Sequence, residues 1–172
     1  TPQFGSGFER VQSMTSHLGK LYAGLGNTID DAEVWEYNGS TWTKIADDVQ
    51  FGAGYDLVGS LASHNGKLYA GLGNNEDEAE VWEYNGSAWT KIADTAQFGA
   101  GHERVQVMIS HNGKLYAGLG STADDAEVWE YDCSTWSKIA DDSQFGAGYE
   151  YVLSLASHNG KLYAGIGLSI GE

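Results

Sequence analysis

Apolar and polar positions alternate in short runs along this chain, and the runs recur. In Lys67-Leu-Tyr-Ala-Gly-Leu-Gly73, Leu68, Ala70 and Leu72 fall on one side of an extended backbone and Tyr69 on the other. That period of two is the pattern of a strand. The stretch around it predicts four strands: Val58–His64, Lys67–Gly73, Glu80–Tyr84 and Trp89–Ala93. Asn65-Gly66 lies between the first two, the dipeptide that two-residue hairpin turns favour. Asn85-Gly86-Ser87 joins the last two. The strands carry apolar or aromatic residues on both faces, which predicts sheets covered on both sides. No stretch sustains a helical period, so the expectation is an all-β fold.

The pattern belongs to a tandem repeat. Phe4–Gln50, Phe51–Gln97 and Phe98–Gln144 are three units of 47 residues, and Phe145–Glu172 opens a fourth. Units one and three agree at 36 of 47 positions, units one and two at 33, and units two and three at 30. Leu-Ala-Ser-His-Asn-Gly-Lys-Leu-Tyr-Ala-Gly in unit two returns unchanged in unit four. Odd and even units therefore differ, as a duplicated pair would leave them. Residues 1–172 read as a single repeat domain. Four antiparallel strands in a unit of this length predict blades of a β-propeller, about three and a half per chain. A parallel β-helix has much shorter coils, and an immunoglobulin-like sandwich does not repeat at this period.

The run Gly-Lys-Leu-Tyr-Ala-Gly-Leu-Gly from Gly19, followed by Ala32-Glu-Val-Trp-Glu-Tyr-Asn-Gly-Ser-Thr-Trp-Thr-Lys-Ile45, resembles a kelch-type blade of the galactose-oxidase propeller class. The resemblance extends over the chain, since the complete units carry the run and the fourth carries its first part. It implies a propeller fold. It implies no particular activity, because propellers host many.

Composition narrows the partners. The net charge of −15 repels nucleic-acid backbones and anionic membrane surfaces. No apolar run approaches the ~20 residues that span a bilayer. Partners are expected to be neutral or cationic. The single cysteine, Cys133, excludes an internal disulfide framework. Asn38 and Asn85 stand in glycosylation sequons, but their Asn-Gly pairs read as hairpin turns.

The expected topology divides the chain into a face of short Asn-Gly turns and a face of longer loops. The second-to-third loops are acidic: Asp30-Asp31, Glu76-Asp77-Glu78 and Asp124-Asp125. The connections between units hold a variable aromatic slot, occupied by Phe8, Tyr55, His102 and Tyr149. Two residues on stand Arg10, Leu57, Arg104 and Tyr151. Variation within so uniform a repeat marks this face, so Tyr55, His102, Tyr149, Arg10 and Arg104 are the candidate ligand-binding residues. Drift of unconstrained loops is the competing explanation.

Other residues suggest chemistry that their spacing opposes. His17, His64, His111 and His158 recur one per unit, too dispersed for a compact metal site, and a structural role is expected. The acidic loops lack calcium-loop spacing, so solvated charge is expected and no metal site is assigned. The six tryptophans suit packing between units, with sugar stacking as the functional alternative. Catalysis needs groups with distinct roles, whereas these polar residues are copied from unit to unit. Cys133 replaces a turn glycine, and no base is identifiable beside it. No catalytic residue and no cofactor is therefore expected. The reading is a non-enzymatic binding or scaffold module, with a carbohydrate as first ligand and a protein surface as second. Two alternatives stay open: a purely structural propeller fragment, natural or engineered, and the propeller part of a larger enzyme. The half unit at the end leaves an open edge, so a homodimer or other homo-oligomer is the expected assembly.

Overall fold

The computed structural model describes Phe4, residues 10–121 and residues 125–168. Of the described residues, strand makes up 56% and helix 8%, an all-β structure. The first unit contributes β1 (Val11–His17), β2 (Lys20–Leu25), β3 (Glu33–Tyr37), β4 (Trp42–Ala46) and a one-turn helix, α1 (Asp48–Phe51). The second contributes β5 (Val58–His64), β6 (Lys67–Leu72), β7 (Glu80–Tyr84), β8 (Trp89–Ala93) and α2 (Thr95–Phe98). The third contributes β9 (Arg104–His111), β10 (Lys114–Gly120), β11 (Glu127–Tyr131), β12 (Trp136–Ala140) and α3 (Asp142–Phe145). A final hairpin, β13 (Tyr151–His158) and β14 (Lys161–Gly167), follows.

Neighbours in sequence pair antiparallel, giving sheets ordered β1-β2-β3-β4 and β5-β6-β7-β8. The third sheet has six strands, because β13 joins β10 through the single pair Gly120↔Tyr151. An isolated bridge, Gly26↔Leu57, marks the same point between the first two sheets. The sheets are open and do not close into a barrel.

The predicted strands of unit two agree with β5 to β8, except that β6 ends at Leu72 and not at Gly73. Gly73 has φ +112, and a Cβ there would lie 2.2 Å from the carbonyl oxygen of Glu103. Only glycine admits that approach of the next unit's backbone. Both turn residues Asn65 and Gly66 have positive φ, 46° and 74°, as a type I′ hairpin requires.

The three one-turn helices were not expected, since one turn is too short to show a period. Each begins on a capping box. Asp47, Asp94 and Asp141 accept from the backbone of the first turn, and Gln50, Gln97 and Gln144 bond back to the cap. The Asp-x-x-Gln spacing was the available signal.

The core lies between successive units. Val34 and Ala46 of unit one, with Phe51 at the end of α1, pack on Val58, Leu61, Leu68 and Ala70 of unit two. Val81, Ala93 and Phe98 pack on Val105, Met108, Leu115 and Ala117 in the same way. A smaller cluster joins Val128 to Val152 and Leu155. First strands lie beside first strands: β1 against β5, β5 against β9, β9 against β13. Each fully buried valine at these joints is worth about 1.5–3 kcal/mol.

Candidate functional site

The loops between second and third strands and the connections between units gather at one edge of the sheets, where they are laced together. Asp30 Oδ1 accepts the Gly54 amide at 2.6 Å, and Asp77 Oδ1 accepts that of Gly101 at 2.7 Å. Ala32, Ala79 and Ala126 donate to the carbonyls of Tyr55, His102 and Tyr149, each at 3.3 Å. Two of the acidic loops expected to hold only solvated charge thus anchor the following connection. Asp124 lies outside the described residues. Among the described residues, no cluster of His, Cys, Asp and Glu is placed to hold a metal ion.

The slot residues point between units. Tyr55 is half-buried beside Glu80, and burial together with that carboxylate holds its phenol well above the ordinary value. His102 is buried, with Nε2 3.2 Å from Glu127 Oε2. Its Nδ1 is buried without a partner among the described residues. Tyr149 is half-buried beside the last joint. Phe8 lies outside the described residues. Arg10 is exposed, and its carbonyl accepts the Gly26 amide at 3.1 Å. Arg104 reaches Asn74 Oδ1 at 3.3 Å and stands 5.8 Å from the Tyr151 ring centroid. The five candidates therefore lie along one edge but do not converge on one pocket.

The glutamates they meet are the hubs of each unit, which the sequence reading passed over. Glu80 accepts Trp82 Nε1 at 2.7 Å and Lys91 Nζ at 2.8 Å. Glu33 and Glu127 do the same with Trp35 and Lys44, and with Trp129 and Lys138. Burial pushes the Glu127 carboxyl up, but the bonds from His102, Lys138 and Trp129 outweigh it and hold the group below its ordinary value. The fixed spacing of glutamate two residues before tryptophan was the signal.

The tryptophans are engaged in packing. Phe51 stands edge-on between Trp82 and Trp89, at 5.4 Å from each centroid. Phe98 does so between Trp129 and Trp136, at 5.3 Å. Trp89 Nε1 also donates to the Ile45 carbonyl of the preceding unit at 3.2 Å.

On the opposite edge, the histidines stitch units together. His17 Nδ1 is 2.8 Å from Ser63 Oγ, His64 Nδ1 2.8 Å from Ser110 Oγ, and His111 Nδ1 2.7 Å from Ser157 Oγ. This is a structural role, as expected. The same packing corrects the reading of Cys133, because a base does lie beside it. His64 Nε2 is 3.4 Å from Cys133 Sγ, and Asn65 Nδ2 is 3.0 Å away. The contact spans 69 residues and arises only because unit three's turn swings across the end of unit two. Burial lowers the His64 pKa, so the imidazole is neutral at neutral pH and can accept a hydrogen bond from the thiol, but burial also makes it a weaker base for taking the proton. Cys133 itself is exposed in a turn, at φ 74°.

No family model and no curated protein matches the chain. Among solved structures, the fold is similar to that of PorZ, reported as an essential bacterial surface component of the type-IX secretion system of Porphyromonas gingivalis. The TM-score is 0.52 and the identity 24%, over 74% of this chain and 19% of that one. The chain thus spans about a fifth of that protein's length, and the likeness is one of fold alone.

Proposed function

We propose that the chain is an arc of kelch-like β-propeller blades serving as a non-enzymatic, repetitive binding or scaffold module. The row of first strands, β1 beside β5 beside β9 beside β13, carries this reading. Each complete sheet runs away from that row in chain order, as blades do about a central axis. The laced loops then form one face of the arc, repeated from unit to unit. Weak sites repeated in this way gain strength by avidity. The acidic loops favour a neutral or cationic ligand, a carbohydrate first and a basic protein surface second. The tryptophans lend little to a sugar site, since their rings are already engaged in packing. Recognition therefore falls to Tyr149, Arg10 and the loop tips.

A glycan-array screen tests the ligand. A captured glycan should lose at least about tenfold in affinity with Tyr149→Ala or Arg10→Ala, a loss of ~1.4 kcal/mol. Asn65→Ala on the turn edge should leave affinity unchanged. The reverse result would move the site to the other edge, and an empty array would reduce the reading to a scaffold.

The same reading makes the ends of the arc adhesive. Val11 is 44% exposed, whereas its counterparts Val58, Val105 and Val152 are fully buried. His158 is exposed at one end, and Ser16 at the other meets no imidazole among the described residues. A second copy placed head to tail repeats the internal joint, His158 on Ser16 and Gly165 on Val11. Light scattering after size exclusion should show this association growing with concentration. A mass of 18.5 kDa at every concentration would exclude it.

A further inference from the structure

In the three complete units the outer pair of strands does the same three things. Its first strand pairs with the second strand of the unit, as Leu68↔Tyr84 through Leu72↔Glu80 do for β6 and β7. Its second glutamate, Glu36, Glu83 or Glu130, receives the lysine and the tyrosine hydroxyl of that second strand. Its two tryptophans enclose the phenylalanine that ends the preceding connection.

The last hairpin presents the receiving half of all three. β14 repeats Lys161, Leu162, Tyr163, Ala164 and Gly165 in register with β6, and its outer edge pairs with no strand among the described residues. Tyr163 is 49% exposed, where Tyr22, Tyr69 and Tyr116 are buried. Phe145 is only half-buried and meets no tryptophan among the described residues. Beside it opens a groove of about 330 Å³, lined by Val128, Ile139, Phe145, Leu162 and Ala164 among others. The corresponding residues of the first joint are Val34, Ile45, Phe51, Leu68 and Ala70, and there Trp82 and Trp89 fill the space. Tyr149 stands in the slot that places Tyr55 beside Glu80.

We propose that β14 and this groove form an acceptor site for a β-hairpin of the repeat's own outer type. The occupant is a polypeptide reading Glu-Val-Trp-Glu-Tyr, a short turn, and a second strand that opens on tryptophan. It adds antiparallel to β14, so the main chain supplies affinity and the two indoles on Phe145 supply specificity. Its second glutamate takes Lys161 and the Tyr163 hydroxyl, and its first takes the Tyr149 hydroxyl. The proposal goes beyond the module reading. It rests on the complete units within the chain, which show what covers this surface.

The probe is a synthetic peptide of residues 79–94, Ala-Glu-Val-Trp-Glu-Tyr-Asn-Gly-Ser-Ala-Trp-Thr-Lys-Ile-Ala-Asp, labelled for fluorescence anisotropy and titrated with the whole chain. Saturable one-to-one binding is expected, with amide exchange slowed along Lys161–Gly167. Replacing both peptide tryptophans with alanine should weaken binding at least about tenfold. That comparison leaves the chain untouched, so it stands even where Phe145→Ala in the chain impairs folding. Tyr149→Phe should weaken the parent peptide without affecting a peptide whose first glutamate is alanine. No saturable binding below about 1 mM would overturn the proposal. So would binding that ignores the tryptophans or leaves β14 amides unprotected. Loss of peptide binding when the chain associates at higher concentration would assign the groove to a second copy and likewise overturn it.

Discussion

Gly71→Ala and Gly165→Ala are the same substitution at the same position of two units, and the structure gives them opposite signs. Neither glycine has a positive φ, so the backbone accepts alanine at both. A Cβ on Gly71 would lie 2.7 Å from both Cβ and Cγ1 of Val105 and 3.3 Å from the Val105 carbonyl oxygen. Carbon atoms rest at about 3.5–4.0 Å, so the two units would have to part by nearly an ångström. Overpacking of this kind costs about 1–3 kcal/mol. Alanine recovers about 0.5–1 kcal/mol of that by limiting the unfolded backbone. The net loss of up to about 2.5 kcal/mol corresponds to a fall in Tm of up to roughly 10 °C for a chain of this size. A Cβ on Gly165 meets only Ser154, with Oγ at 2.4 Å. Ser154 is exposed, and its hydroxyl can rotate away. Only the backbone gain remains, and Tm should rise by roughly 1–4 °C. Thermal unfolding followed by circular dichroism, at concentrations where light scattering finds monomer, measures both. Equal shifts of the same sign would refute the close approach of units. At concentrations where chains associate head to tail, Gly165→Ala should lose its advantage, because Val11 of the second copy then stands where Val105 stands against Gly71.

Two further outcomes follow from the joint on the turn edge. Burial lowers the pKa of His17 and His64 below the ordinary 6.5. Below that value the unfolded chain takes up protons that the folded imidazoles refuse, so stability present above pH 6.5 is lost on acidification. Glu36 and Glu130, held below their ordinary 4.5, extend the loss further down the scale. Tm measured from pH 7.5 to 5 should fall and should flatten in the double variant His17→Gln, His64→Gln; an unchanged slope would count against the assignment. Ser110→Ala leaves the buried His64 Nδ1 unpaired at a cost of about 1–3 kcal/mol, measured by urea unfolding. Ser16→Ala, which frees no imidazole, should cost nothing in the monomer.

The repeat and the strands could be read in the sequence because their causes are local. A period of two with Leu68, Ala70 and Leu72 on one face, and an Asn65-Gly66 turn, specify a hairpin with no knowledge of what covers it. The structural role of the histidines was also legible, since one imidazole per unit cannot converge on a metal. The residues proposed for a ligand were chosen by variability, and variability does not report direction. Tyr55 and His102 vary, yet they turn inward to Glu80 and Glu127.

What the sequence determined by itself is therefore the content of each unit: its four strands, its turns and the recurrence every 47 residues. What only the tertiary structure decided is how one unit meets the next. His64 finds Ser110 and Cys133, at 46 and 69 residues' distance, and Gly71 finds Val105. These contacts depend on the relative placement of whole sheets, which no local pattern encodes. The edge of β14, unpaired among the described residues, belongs to the same class. Its strand is written in the sequence like every other copy, but the groove beside it exists only because Leu162 and Ala164 are packed near Val128, Ile139 and Phe145 of the unit before.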